Sequence, residues 1–168
     1  MTDTLICVDA LDRQIGTADK LRCHQEGLLH RAFSVFLMDG SRFLLQRRAL
    51  DKYHSGGLWA NACCSHPRVG ETLPEAVSRR LFEELGISCP CREVGSFVYR
   101  HQFSPELFEY EYDHVFLGHF RGSVFSNPEE IMEVRWFELE DLLALMNQKP
   151  DMFASWFLTA LPMVLKQL

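Results

Sequence analysis

No apolar run in this 168-residue chain approaches the ~20 residues that a membrane-crossing helix needs. Its opening, MTDTLICVDALDRQIG, lacks the basic lead and apolar stretch of a secretory signal, since Asp3, Asp9, Asp12 and Arg13 interrupt it. A cytoplasmic location without a membrane partner is therefore expected. Positive charge is not in excess either: 17 Lys and Arg stand against 23 Asp and Glu, a net charge of −6. That balance speaks against nucleic acid as the main partner and leaves room for a small anionic substrate in a local basic pocket. Internal repeats, low-complexity tracts and linkers are missing too. One domain over residues 1–168, acting as a monomer and long enough to bury a core, is the expectation.

What is present is an ordinary globular balance, 47% hydrophobic and 24% charged residues. The cysteines are Cys7, Cys23, Cys63, Cys64, Cys89 and Cys91. In a cytosolic chain they read as free thiols, ligands or catalysts rather than a disulfide framework. Adjacent Cys63 and Cys64 are poor partners for each other. ICVDALDRQIG reads as a short strand and a turn. In HRAFSVFLMDGSRFLLQRR two apolar runs flank Asp39-Gly40, the pattern of a β-hairpin. ETLPEAVSRRLFEELGI reads as a helix: Thr72 can cap it, Pro74 suits its first turn, and Gly86 can stop it. Its core stripe is Leu73, Val77, Leu81 and Leu85. EVGSFVYRHQF and FEYEYDHVFLGHF read as strands, and EVRWFELEDLLALM as a strand entering a helix. The tail, MFASWFLTALPMVLKQL, reads as a helix interrupted near Pro162. The order β-β-β-α-β-β-β-α-α implies a mixed α/β or α+β domain, a sheet with helices packed on it.

Three groups of residues carry chemistry. Glu71, Arg79, Glu83, Glu84, Gly86 and Ile87 fall on the Nudix box, GX5EX7REUXEEXGU. Carboxylates on one helical face there can hold a divalent cation against a diphosphate. Ser65 replaces the opening Gly, and Arg80 replaces the Glu that Nudix hydrolysis leans on. A Nudix fold without ordinary hydrolysis is the reading; a plain solvated face of i,i+4 ion pairs is the alternative. In FEYEYDHVF, alternation puts Glu109, Glu111 and Asp113 on one face and Phe108, Tyr110 and Tyr112 on the other. By itself this is an amphipathic, half-exposed strand; with histidines it becomes a metal site. His66 follows the cysteine pair in NACCSHPRVGE, and His30 lies in GLLHRAFSVF, whereas His54, His101, His114 and His119 read as turn or surface residues.

The segments CHQEGLLHRAFSVFL, RRALDKYHSGGLWANACCSHPRVGE, RRLFEELGI and YRHQFSPELFEYEYDHVF together resemble type I isopentenyl-diphosphate isomerases of the Nudix superfamily, over roughly residues 4–160. The Arg at position 80 is itself similar to that family. The resemblance implies a Nudix-like mixed sheet sandwiched by helices. It implies a divalent metal, Mn2+, Mg2+ or Zn2+, held by His24, His30, His66, Glu109 and Glu111. It also implies Mg2+ arriving with the substrate diphosphate and touching Glu84 and the Cys64 carbonyl. Cys64 and Glu111 become the acid/base pair, Tyr99 an aid to proton delivery, and Trp156 the ring that faces a carbocation. Lys20, Arg48, Lys52 and Arg80, with Arg47 beside them, fall on the family's diphosphate-binding positions. Cys63 matches a position that chemistry does not need, and Trp59 and Trp136 read as core or pocket wall. The implied reaction interconverts isopentenyl and dimethylallyl diphosphate. A Nudix pyrophosphohydrolase of a nucleoside diphosphate derivative and a non-catalytic metal-dependent binding module are the other readings.

Overall fold

The computed structural model describes residues 3–168. One mixed sheet carries the fold. Its axis is β3 (His30–Asp39), eight of whose ten residues are buried, on both faces. Along one edge of β3 runs β8 (Leu107–His119), parallel to it from His30↔Glu111 to Met38↔His119. β7 (Cys91–Ser104) closes that side antiparallel to β8. Three strands share the other edge of β3. Its start meets β1 (Thr4–Val8), its middle meets β6 (Cys63–Ser65), and its end meets β4 (Arg42–Arg48). Outside these lie β2 (Gln14–Asp19) against β1, and both β5 (Trp59–Asn61) and β9 (Ile131–Glu138) against β4.

The expected hairpin is β3–β4, and Gly40 supplies the left-handed turn residue at φ 61°. Alternation along β3 then builds two cores. Phe36 and Met38 pack with Val115, Leu117 and the helix α4 (Ser155–Leu165) through Phe157, Ala160, Leu161 and Val164. Leu142 of α3 (Leu139–Gln148) joins the same core. Phe33, Val35 and Leu37 pack on the opposite face against α2 (Leu73–Leu85) through Ala76, Val77, Leu81 and Leu85. Helices therefore cover both faces, as the sequence implied.

The Thr72 cap is a full capping box: its hydroxyl accepts from Glu75 N while the Glu75 carboxylate accepts from Thr72 N. Gly86, at φ 63°, ends α2. Three expectations need correction. The N-terminal strand and turn are a complete hairpin followed by a further helix, α1 (Lys20–Glu26), and the short β5 and β6 were not anticipated. The tail helix is not interrupted at Pro162; α4 runs through it to Leu165. Proline there removes one backbone bond near the helix end, and the apolar face of α4 in the core outweighs that loss. Finally, Glu109, Glu111 and Asp113 are the buried face of β8, and the rings beside them are half-buried.

Candidate active site

Two short-range devices aim the first histidines. Asp19 caps α1 by accepting from Arg22 N at 2.9 Å, and Gly27 turns the chain left-handed at φ 65° straight into β3. His24 and His30 are thereby fully buried. Their Nδ1 atoms lie 2.6 Å from the Lys20 carbonyl and 2.9 Å from the Leu28 carbonyl. A carbonyl can only accept, so each Nδ1 carries the proton and each Nε2 presents a lone pair inward. Both Nε2 atoms are buried without a hydrogen-bond partner among the described residues.

The strand register delivers the carboxylates to those lone pairs. His30, Glu111 and Tyr99 form one row across β3, β8 and β7, because His30 pairs with Glu111 and Glu111 with Tyr99. Residues paired across strands share a face. Nε2 of His30 is 3.5 Å from Glu111 Oε1, Nε2 of His66 is 3.0 Å from the same oxygen, and Nε2 of His24 is 3.6 Å from Glu109 Oε1. His66 is set by the Nudix loop. Arg79 grips Glu71 through Nε at 2.7 Å and Nη2 at 2.9 Å, and its Nη2 also donates to the His66 carbonyl at 3.3 Å.

These residues fit a divalent metal. For bonds of about 2.1 Å, neighbouring vertices of an octahedron lie about 3.0 Å apart, the scale of the separations above. The donor set of imidazole nitrogens and carboxylate oxygens suits Mn2+ or Zn2+, with Mg2+ favouring the oxygens. Among the described residues nothing else satisfies the His24 and His30 Nε2 atoms.

Burial sets the acid–base character of the cluster. Burial, then the neighbouring Glu109 charge, hold the Glu111 carboxyl well above the usual range. Burial also works to raise Glu109, but its close polar contacts with Glu111, His24 and His54 hold it well below. So the two carboxylates behave as a pair with one ready proton acceptor and one reluctant one. Burial pulls His30 down to about 4 and His66 well below its ordinary value, keeping both neutral ligands. Beneath them Asp113, held by the Ser34 hydroxyl at 2.8 Å, is pushed up to about 7 by burial. A raised folded value means that stability present below the unfolded carboxyl range is lost as pH rises through about 7. Asp113→Asn, whose amide oxygen can still accept from Ser34, should therefore raise the Tm of the metal-free protein at pH 8 and leave it nearly unchanged at pH 4. Thermal melts at the two pH values check this.

The cysteine pair is divided by the sheet. Cys64 stands beside Ser34 in the register, on the face of Glu111 and Asp113, and packs toward the α4 core. Cys63 points the opposite way, fully buried among the residues that meet α2. The Cys64 thiol is pushed up to about 12 by burial, with the Arg48 charge working against that rise.

Cys64, His24, His66, Glu84, Glu109, Glu111, Lys20, Arg48, Lys52, Arg80 and Trp156 all line one cavity. His30 and Tyr99 stand just behind that lining, and the Tyr99 hydroxyl bonds Ser155. The basic wall is held ready by acids. Arg80 pairs with Glu84 and, at 2.7 Å, with Glu83, while Lys52 pairs with Glu130. Arg48 lies 5.0 Å from the Trp156 ring centre. The Nε atoms of Arg48 and Arg80 are buried donors without a partner, which an anion in the cavity would satisfy. Arg47 instead donates to the Gly57 carbonyl at 2.9 Å and shapes the loop before β5.

Sequence reasoning missed three residues. Gln46 donates to Glu84 at 3.2 Å and to the Ala62 carbonyl at 2.7 Å, fixing the carboxylate. Asn61 donates to the Cys63 carbonyl at 2.7 Å and accepts from the Trp156 indole at 3.2 Å, tying the cysteine strand to the ring. His54, expected at a turn or surface, is partly buried in the cavity wall with Nε2 2.5 Å from Glu109. His114 likewise is buried, between Asp12 and Glu93, where it fastens the β1–β2 turn. No periodicity marks an isolated His or Asn in a loop, so nothing in the pattern could have singled these out.

The NUDIX domain family matches residues 28–157. The chain is 51% identical over 158 residues to the isopentenyl-diphosphate Delta-isomerase of Burkholderia multivorans, covering 94% of this chain and 90% of that protein. It is 47% identical over 160 residues to the isopentenyl-diphosphate Delta-isomerase of Serratia proteamaculans, covering 95% and 89%. Among solved structures it is similar to a MutT NUDIX hydrolase from Burkholderia pseudomallei, with a TM-score of 0.67, 22% identity, and coverage of 81% and 98%. At that identity the last likeness carries the fold alone.

Proposed function

Since the chain belongs to the NUDIX-domain family and, within it, to the isopentenyl-diphosphate Delta-isomerases, we propose how its residues interconvert isopentenyl and dimethylallyl diphosphate. The single observation that carries the reading is the convergence of Cys64, Glu111 and Trp156 on one cavity whose other wall is basic. Residues 1–168 act as one Nudix-fold domain.

The reaction adds a proton to the terminal methylene carbon and takes another from the carbon next to the diphosphate-bearing one. An unactivated alkene is a very weak base, so protonation passes through a tertiary carbocation. A donor and an acceptor must therefore flank the five-carbon chain. Cys64 and Glu111 are that pair, and they exchange roles in the reverse direction. Burial keeps the Cys64 proton on sulfur until a reacting carbon draws on it. Tyr99, in the row with Glu111, relays protons to that carboxyl. The Trp156 ring stabilises the desolvated cation by about 2 kcal/mol, without the nucleophile that would trap it. Water must be kept from the cation, since it would quench it to an alcohol.

Lys20, Arg48, Lys52 and Arg80 bind the diphosphate. Glu84 and the Cys64 carbonyl would hold the Mg2+ that accompanies the diphosphate, and Arg80, paired with Glu84, would turn to the phosphates. Gln46 steadies Glu84 through this exchange. His24, His30, His66, Glu109 and Glu111 hold the second divalent metal, Mn2+, Mg2+ or Zn2+. A metal bound there would favour the ionised form of Glu111, so that the carboxyl that burial would keep protonated could serve as a base.

Arg80, where a hydrolase has its Glu, weighs against nucleotide hydrolysis. Incubating the enzyme with isopentenyl diphosphate and Mg2+, and in parallel with nucleoside diphosphate sugars, should give dimethylallyl diphosphate and no phosphate products. Hydrolysis of the nucleotides with no allylic product would replace this reading. For the metal, adding Mn2+ or Zn2+ to chelator-stripped protein should raise its Tm, and His30→Ala should lose most of that rise. Equal rises in the two proteins, followed by differential scanning calorimetry, would move the metal elsewhere.

A further inference from the structure

His54 lies on the loop between β4 and β5, outside the residues assigned to metal above. Three facts set it apart from a loop histidine. Its side chain is 9% exposed and lines the cavity. Its ring is clamped, stacked on Phe103 with centroids 4.3 Å apart and edge-on to Trp156 at 5.7 Å. Its Nε2 points at the same carboxylate as His24 Nε2, 2.5 Å from Glu109 Oε2.

That contact is not a hydrogen bond. Glu109 Oε2 is buried and has no hydrogen-bond partner among the described residues, although the imidazole nitrogen is so near. One nitrogen from each of His24 and His54 and one Glu109 oxygen lie within 4.8 Å of one another, as do the donors of His30, His66, Glu109 and Glu111. Glu109 belongs to both groups. The imidazole centres of His24 and His54 are 6.1 Å apart, close to the 5.5 Å of His24 and His30.

We propose that His54 is a fourth imidazole donor of the metal centre, brought in by the loop and sharing the Glu109 carboxylate with His24. This rests on the metal reading above. With His54 the protein supplies four nitrogens and two carboxylates. A six-donor set leaves no position for the diphosphate, so this ion holds the acid–base carboxylate and the substrate binds through Mg2+ and the basic wall. A fourth nitrogen also tilts the site from Mg2+ toward Zn2+ or Mn2+.

The test is two-bond 1H–15N NMR of 15N-histidine-labelled full-length protein titrated with Zn2+ alone, which reports each imidazole nitrogen separately. Loss of one signal set in His54→Gln assigns it. The expected result is that Nε2 of His54 shifts on binding together with Nε2 of His24, His30 and His66. Zn2+ affinity by chelator competition should fall at least tenfold in His54→Ala. If the other three shift and His54 does not, the donor assignment is overturned, even where affinity falls, since His54 then acts only by positioning Glu109. If none of the four shifts, the metal centre itself is wrong. Should His54→Gln fail to fold, the number of Nε2 signals that shift in the wild-type spectrum decides: four supports the assignment, and three overturns it.

Discussion

Cys64→Ala should lose about 10²–10⁴-fold in turnover, the usual share of one proton-transfer group, while unfolding stays cooperative and metal binding is kept. Its neighbour is the internal control. Cys63→Ala should turn over within a few-fold of wild type and instead lose about 1 kcal/mol of stability, because its sulfur is packed against α2. The contrast follows from the pleat. β6 pairs Cys64 with Ser34 and Cys63 with Val35, and those two residues face opposite cores. Initial rates and urea melts on the two variants separate the roles. A Cys64→Ala enzyme with near-normal rates would sink the acid/base assignment, and a dead Cys63→Ala would exchange the two sulfurs.

Glu111→Gln should be at least as damaging, with turnover down about 10⁴-fold, since it removes a proton carrier and the charge of a metal ligand together. Gln keeps an oxygen that can coordinate, so Zn2+ should still bind, more weakly, and His30 and His66 should still report it. That separates the chemical role from the structural one: loss of the metal would explain a loss of rate by itself. Rates at saturating metal, alongside a binding titration, resolve the two. A Gln variant that regains its rate once metal saturates would reduce Glu111 to a ligand.

How much of this was legible in the sequence depended on the range of the signal. α2 was readable end to end because its cap, stripe and stop are local: Thr72, Leu81 and Gly86 each act within a turn. The β3–β4 hairpin was readable for the same reason. α1 was missed although Asp19 and Gly27 bracket it, because seven residues hold too little periodicity to stand out. β5 and β6 are three residues each and exist only through their neighbours. In β8 the alternation was legible but its direction was not. Which face is buried depends on His24, His30 and His66 arriving from other elements, so charged residues came to form the inside. Most of the candidate residues that the joint motifs point to, Cys64, His66, Glu84 and Glu111 among them, line one cavity. His54, Gln46 and Asn61 belong to no spacing rule; each matters through a partner distant in sequence, Glu109, Glu84 and Trp156 respectively. Only the folded register brings those pairs together.

The most direct measurement is NMR of isopentenyl diphosphate incubated with the metal-loaded enzyme and Mg2+ in deuterated water. Proton addition and removal through Cys64 and Glu111 predict dimethylallyl diphosphate with deuterium in a methyl group, and loss of that label incorporation in both the Cys64→Ala and Glu111→Gln enzymes. Dimethylallyl diphosphate formed without deuterium from solvent, or unchanged substrate with metal bound, would contradict it.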